Sequence, residues 1–182
     1  MNPSQPDAQP PWHTLESQII HQNPWYAIRQ DKVRTHTGAK ITYTFMDHPG
    51  VVAVVPVTTE GQVVLIRQYR YTVKDWCWEI PMGGRDSSDS VAVARKELLE
   101  EIGGKSREIR HITNFYSSNG TCNIHSELFL ATGVELSQNQ PEATELIEII
   151  LKSKEEVMRM ARAGEISDGE SALAIFLCEA HW

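Results

Sequence analysis

Gly83-Gly84-Arg85-Asp86-Ser87-Ser88-Asp89-Ser90-Val91-Ala92-Val93-Ala94-Arg95-Lys96-Glu97-Leu98-Leu99-Glu100-Glu101-Ile102-Gly103 is the most informative segment of the chain. Advanced by about 100° per residue, Val91, Ala94, Leu98 and Ile102 gather on one face, and Glu97, Glu100 and Glu101 share a neighbouring one. The spacing predicts a helix over 90–102 that packs its apolar face on a sheet and stops at Gly103. Three carboxylates on one patch repel each other and are destabilising without a counter-charge. A hard divalent cation such as Mg²⁺, with Mn²⁺ as a substitute, supplies that charge and keeps waters free for phosphate. The plainer alternative is a solvated acidic face with Arg95 and Lys96 as neighbours. The context favours the cation: a strand ends at Trp78-Glu79-Ile80-Pro81, and Gly83-Gly84 then permits a tight turn and close backbone approach at the helix start.

Working outward, Val51 to Thr58 and Gln62 to Tyr69 are β-branched runs joined by Thr59-Glu60-Gly61, a hairpin signal that marks the core sheet. Before them, strands are predicted over Leu15 to Gln22, Tyr26 to Arg34 and Ile41 to Asp47, with a turn at Thr37-Gly38. After them come strands at Trp78 to Ile80, Ile109 to Phe115, His125 to Thr132 and Glu145 to Leu151. Helices are predicted over Lys154 to Ala163 and Gly169 to Ala180, the latter capped at about Asp168. Strands interrupted by three late helices indicate a mixed α/β or α+β fold. Residues 1–11, with four of the nine prolines, read as a tail, 12–48 as an N-terminal β extension, and 49–182 as the main domain.

The 182 residues carry 17 Lys+Arg against 24 Asp+Glu, a net charge of −7, which argues against a surface that coats nucleic acid. Cys77, Cys122 and Cys178 are odd in number and widely spaced, so neither a disulfide framework nor a Cys-x-x-Cys zinc site is expected, and a reducing cytoplasm is. No apolar run is long enough for a membrane span, and no secretion signal is expected. The seven histidines show no zinc-hydrolase spacing, and there is no Walker loop or Gly-x-Ser-x-Gly elbow.

Lys96-Glu97-Leu98-Leu99-Glu100-Glu101-Ile102-Gly103 resembles the second half of the Nudix box, with Lys96 in the place of its Arg. Glu79-Ile80-Pro81-Met82-Gly83-Gly84 is similar to the Glu-Leu-Pro-Ala-Gly-Gly of ADP-ribose pyrophosphatase-like members. Val63 to Arg70, Leu128-Phe129-Leu130-Ala131 and Gly164 to Gly169 also resemble that subfamily, so the likeness spans roughly Leu15 to Leu177. It departs at Ser88, where the box has its first Glu, and at a loop one residue short. In the family that Glu and the Arg pair to brace the loop; here Asp86 or Asp89 is expected to pair with Arg95 or Lys96 instead.

The resemblance implies an α/β/α sandwich with a mixed sheet, an N-terminal antiparallel strand extension, and Mg²⁺-dependent cleavage of the pyrophosphate of a nucleoside diphosphate sugar. Carried onto this chain, Glu97 and Glu101 ligate metal, Glu100 ligates metal or holds a metal-bound water, and the Met82 carbonyl is a backbone ligand. Glu142 and Glu145, in a late acidic loop, are candidate general bases. Arg70 and Arg67 are candidate phosphate contacts, since Arg can clamp phosphate bidentately. Glu79 either contacts metal-bound water or braces an Arg. Trp25 and Tyr26 are candidates for base stacking or for the interface of a homodimer built on the N-terminal sheet. The proline that accompanies ADP-ribose specificity is Asn119 here, so the sugar stays open among nucleoside diphosphate sugars. The rival readings are a Nudix-fold nucleotide-binding module without hydrolysis, and a Nudix enzyme for dinucleotides or nucleoside triphosphates.

Overall fold

In the computed structural model, which describes residues 10–138 and 146–182, two compact units divide after His48, and residues 118–124 join the first. That first unit is an antiparallel sheet of β1 (His13–Gln22), β2 (Ala27–Arg34) and β3 (Lys40–Asp47), in that order. The β1–β2 connection closes because the Asn23 carboxamide oxygen accepts from the backbone N–H of both Trp25 and Tyr26 at 2.9 Å. Gly38, at φ 84°, supplies the left-handed residue of the β2–β3 turn. Residues 118–124 lie along β3: Tyr43 donates to the Gly120 carbonyl at 2.8 Å, and Asn123 donates to Asp47 at 2.6 Å. β1 leaves Leu15, Ile19 and Ile20 exposed.

The second unit contains β4 (Val51–Thr58), β5 (Val63–Arg70), β6 (Asp75–Glu79), β7 (Met82–Gly84), α1 (Ser90–Ile102), β8 (Gly104–Lys105), β9 (Glu108–Tyr116), β10 (His125–Leu136), β11 (Ile147–Lys152), α2 (Lys154–Arg162) and α3 (Gly169–Cys178). Its sheet runs β11-β5-β4-β10-β8, with β6 beside β5, β7 beside β4 and β9 beside β10. β4 and β10 are parallel and the remaining pairs antiparallel, so the sheet is mixed. Helices cover both faces. Val52, Val54, Val64 and Ile66 meet Val93, Ala94, Leu98 and Ile102 of α1, while Ala53, Val55, Val63 and Leu65 meet Val157, Met158, Ala174 and Ile175 of α2 and α3. Burial on both sides is why β4 and β5 read as continuous apolar runs rather than alternating ones.

The caps follow from local chemistry. Asp89 accepts from the Ala92 N–H at 3.0 Å, Asp168 accepts from the Ser171 N–H at 2.8 Å, and Gly103 ends α1 in the left-handed region at φ 62°. Several elements differ from expectation. β6 starts at Asp75 and ends at Glu79 instead of running from Trp78 to Ile80, and β8, which pairs with Glu135 and Leu136 of β10, was not expected. On α1, Val91 is exposed and Val93 takes its place against the sheet. The Gly83-Gly84 turn is instead the short strand β7, its residues Val51↔Gly84 and Val52↔Gly83 in register with β4; glycine's poor strand propensity is overridden by pairing with a buried neighbour. β10 runs past Thr132 because Gly133, at φ 62°, accommodates a register shift before pairing resumes at Val134. The expected strand start at Glu145 lies outside the described residues. Among the described residues no helix is long and apolar enough to cross a membrane.

Candidate active site

α1 delivers two buried carboxylates one turn apart. Glu97 is 8% exposed and Glu101 5%, each on the flank of the apolar face that packs Leu98 and Ile102 on the sheet. Glu97 reaches β7, where its carboxylate lies in the space a side chain on Gly83 would occupy. Met82, the residue before that glycine, opens β7 opposite Ala53. Glu100 stands further out, its side chain 41% exposed.

Lys96 organises the acidic side of the helix. Its ammonium lies 3.2 Å from Asp86, 3.7 Å from Glu100 and 3.8 Å from Glu97. The Asp86 hydrogen bond holds Lys96 above its ordinary pKa, and the charges of Glu100 and Glu97 add to it. Of the pairings considered for the altered loop, Asp86 with Lys96 forms; Asp89 is taken up by the cap of α1. Among the described residues, no three acidic, histidine or cysteine side chains are drawn together into an ion-binding cluster. The chemistry of the donors nevertheless fits a hard divalent cation. Two buried carboxylates and a third beside them are oxygen donors of the right type, and the cradle over Gly83 seats one of them against backbone.

A cavity of about 560 Å³ opens in the same unit, walled by Arg70, Cys77, Glu79, Met82, Asp168 and Gly169 among others. Strand alternation decides which arginine reaches it. Gln68 and Arg70 share one face of β5 and meet Glu79 of β6: Arg70 Nε donates to Glu79 Oε1 at 2.8 Å, Arg70 Nη2 to Oε2 at 2.5 Å, and Gln68 Nε2 to Oε2 at 3.0 Å. Arg67, three residues away, falls on the opposite face. There its guanidinium stacks over Trp76 and Trp78, at 5.2 and 5.7 Å, and lies 3.5 Å from Glu148. The hydrogen bonds to Glu79 hold Arg70 above its ordinary pKa, and the charges of Glu101 and Asp168 contribute. Arg70 therefore lies within electrostatic reach of Glu101 on α1.

The start of α3 anchors the cavity wall. Ser171 is fully buried; its hydroxyl donates to Asp168 at 2.6 Å and accepts the Ile80 N–H at 3.2 Å. Ile80 precedes Pro81 and Met82, so this relay fixes the connection that leads into β7.

Of the residues singled out from sequence, Arg70, Glu79 and Met82 share the cavity wall, and Glu97, Glu100 and Glu101 line the adjoining helix. Arg67 is directed away. Trp25 and Tyr26 belong to the first unit, with Trp25 71% exposed. Glu142 and Glu145 lie outside the described residues. Gln68, Asp168 and Ser171 were not singled out for the site. The signal for Gln68 was its place two residues before Arg70 on one strand face, and for the other two the capping pattern Asp168-x-x-Ser171.

Two family models match the chain: residues 46–172 match the NUDIX domain, and residues 12–46 match the nucleoside diphosphate sugar hydrolase N-terminal domain. An ADP-ribose pyrophosphatase of Bacillus subtilis is 30% identical over 131 residues, covering 70% of this chain and 71% of that protein. An ADP-ribose pyrophosphatase of Mycobacterium tuberculosis is 29% identical over 134 residues, covering 72% of this chain and 64% of that protein. A crystal structure of an ADP compounds hydrolase aligns with a TM-score of 0.81 at 15% identity, over 96% of this chain and 95% of that one, which shows a common fold.

Proposed function

The chain belongs to the Nudix family, and from that premise we propose that it hydrolyses the pyrophosphate bond of a nucleoside diphosphate sugar, ADP-ribose foremost, to a nucleoside monophosphate and a sugar phosphate. The observation that carries this reading is the pair of buried carboxylates, Glu97 set against β7 and Glu101 one turn further along α1, beside a cavity whose wall presents Arg70. The N-terminal family match and the two ADP-ribose pyrophosphatases support the substrate class.

The family uses divalent metals such as Mg²⁺. Here Glu97, Glu101 and the Met82 carbonyl would hold Mg²⁺ or Mn²⁺, with Glu100 as a further ligand or as the holder of a bound water. When bound, the ion would offset the negative charge of the diphosphate and lower the pKa of water. Arg70 binds diphosphate oxygens with the guanidinium edge that Glu79 leaves unused. Glu145 or Glu142 takes the proton of the attacking water as its oxygen bonds to one phosphorus, and the bridging P–O bond breaks toward the other phosphate. The first unit presents Leu15, Ile19, Ile20 and Trp25 to solvent, and we assign this face to a second copy of the chain, with Trp25 and Tyr26 at the interface or on the base. The free cysteines suit a reducing cytoplasm.

The test is product formation from ADP-ribose, GDP-mannose, UDP-glucose, NADH and diadenosine polyphosphates with Mg²⁺ or Mn²⁺, for wild type and Glu101→Gln. Selective turnover of a nucleoside diphosphate sugar, abolished by the substitution, is expected. Ligand binding that is indifferent to chelator, with no product, would replace this reading by the binding module. A monomeric mass in dilute solution would remove the dimer.

A further inference from the structure

We infer that Glu79 acts as a positioning residue, whose buried carboxylate, held by Gln68, sets the orientation of Arg70 toward the diphosphate. This rests on the hydrolase reading and deepens it, since sequence left Glu79 open between bracing an arginine and touching metal-bound water.

Three observations carry it. Glu79 is 2% exposed, yet Arg70 keeps 43% of its side chain open, so the carboxylate is the fixed half of the pair and the guanidinium the half that faces a ligand. Second, the pairing consumes Nε and Nη2 of Arg70 and both oxygens of Glu79. A two-point fork fixes the guanidinium plane as well as its position, and Nη1 makes no hydrogen bond among the described residues. Third, Gln68 is 4% exposed and donates to Glu79 Oε2, so the carboxylate cannot rotate without breaking a buried bond. Glu79 spends its oxygens on protein donors, which leaves an arm of fixed geometry at the cavity wall. Preorganisation of this kind raises affinity by removing ordering costs.

The consequence is a split between binding and chemistry. A residue that orients a phosphate-binding arm changes KM and ligand affinity; one that acts on the attacking water changes kcat. The experiment is a double-mutant cycle of Glu79→Gln and Arg70→Ala. Calorimetric binding of ADP-ribose with chelator present is one readout, and steady-state kinetics with Mg²⁺ the other. The Gln variant keeps shape and removes charge, and the pair Arg70→Ala with Glu79→Gln avoids stranding a buried anion, so unfolding of the Arg70→Ala single variant would not stop the measurement. Glu79→Gln is expected to weaken binding and raise KM about tenfold, as loss of a charge-assisted hydrogen bond does, with kcat held within about threefold. The double variant is expected to bind as Arg70→Ala does; if Arg70→Ala does not fold, the same cycle is run with Arg70→Lys, and Arg70→Lys with Glu79→Gln is expected to bind as Arg70→Lys does. Unchanged binding in Glu79→Gln, losses that multiply in the double variant, or a fall in kcat at constant KM would each overturn the inference. Wild type that binds ADP-ribose without cleaving it would defeat the proposed reaction and leave this cycle readable. Wild type that neither binds nor cleaves it would defeat both.

Discussion

The carboxylate of Glu97 occupies the place where a side chain on Gly83 would begin. Helix α1 and strand β7 can meet so closely only because one of the two partners has no Cβ. The glycine is therefore required by packing against α1, and it brings a buried acidic oxygen to the backbone next to Met82. Gly83→Ala should force the carboxylate or the strand aside. Overpacking of this kind costs about 1–3 kcal/mol, and displacement of the carboxylate should lower kcat by about tenfold or beyond, a comparable free energy. Thermal unfolding beside kcat measures both; wild-type values in each would show that the contact is dispensable.

Glu101→Gln is nearly isosteric and keeps the helix face packed, so the variant should fold with little change in melting temperature. Its turnover should drop at least about a hundredfold, comparable to loss of one main electrostatic stabiliser. Removing divalent ions by chelation should abolish wild-type turnover, and added Mg²⁺ should restore it. Near-normal rates in the Gln variant would refute the assignment of Glu101.

The bounds of helix α1 and strand β4 were legible from sequence to the residue, because Ala94, Leu98 and Ile102 repeat at helical spacing before Gly103; the packing face differs from expectation in the first turn, where Val91 is exposed and Val93 is buried against the sheet instead. β7 was not legible, since two glycines carry no side-chain pattern and their pairing with Val51 and Val52 is a tertiary fact. The same distinction runs through the site. Glu97 and Glu101 share a helix face by arithmetic. Arg67 and Arg70 look equivalent in a list of nearby cations, and period-two alternation sends them to opposite faces. Gln68 and Ser171 carry no charge and fit no motif of catalysis; what they do depends on Glu79 and Ile80, 11 and 91 residues away.

Ser171 is the single acceptor found for the Ile80 N–H among the described residues, and both residues are fully buried. Ser171→Ala removes that acceptor and one donor to Asp168 without creating a large void. An unsatisfied buried donor costs about 1–3 kcal/mol, and the loss falls on the connection that leads to Met82. Chemical denaturation should show that cost, with a raised Mg²⁺ requirement. A variant unchanged in both would detach α3 from the site.

Asp86 and Asp89 lie three residues apart and should separate stability from function. Asp89→Ala removes the cap of α1 and should cost about 1 kcal/mol. Asp86→Asn breaks an exposed pair with Lys96, so its stability cost should stay below about 1 kcal/mol. It frees the ammonium for Glu97 and Glu100, and the Mg²⁺ concentration for half-maximal rate should rise several-fold by competition for those carboxylates, roughly the effect of 1 kcal/mol. The pH dependence has a definite sign. Lys96 is held above its ordinary value of 10.5, chiefly by Asp86, so its contribution is fully present below that value and is lost as pH rises through the higher folded one. The difference in unfolding free energy between wild type and Lys96→Met should therefore be flat on the alkaline side of neutrality and shrink only above about 10.5. A difference that shrinks already near neutral pH would show that Lys96 is not the group that braces the loop.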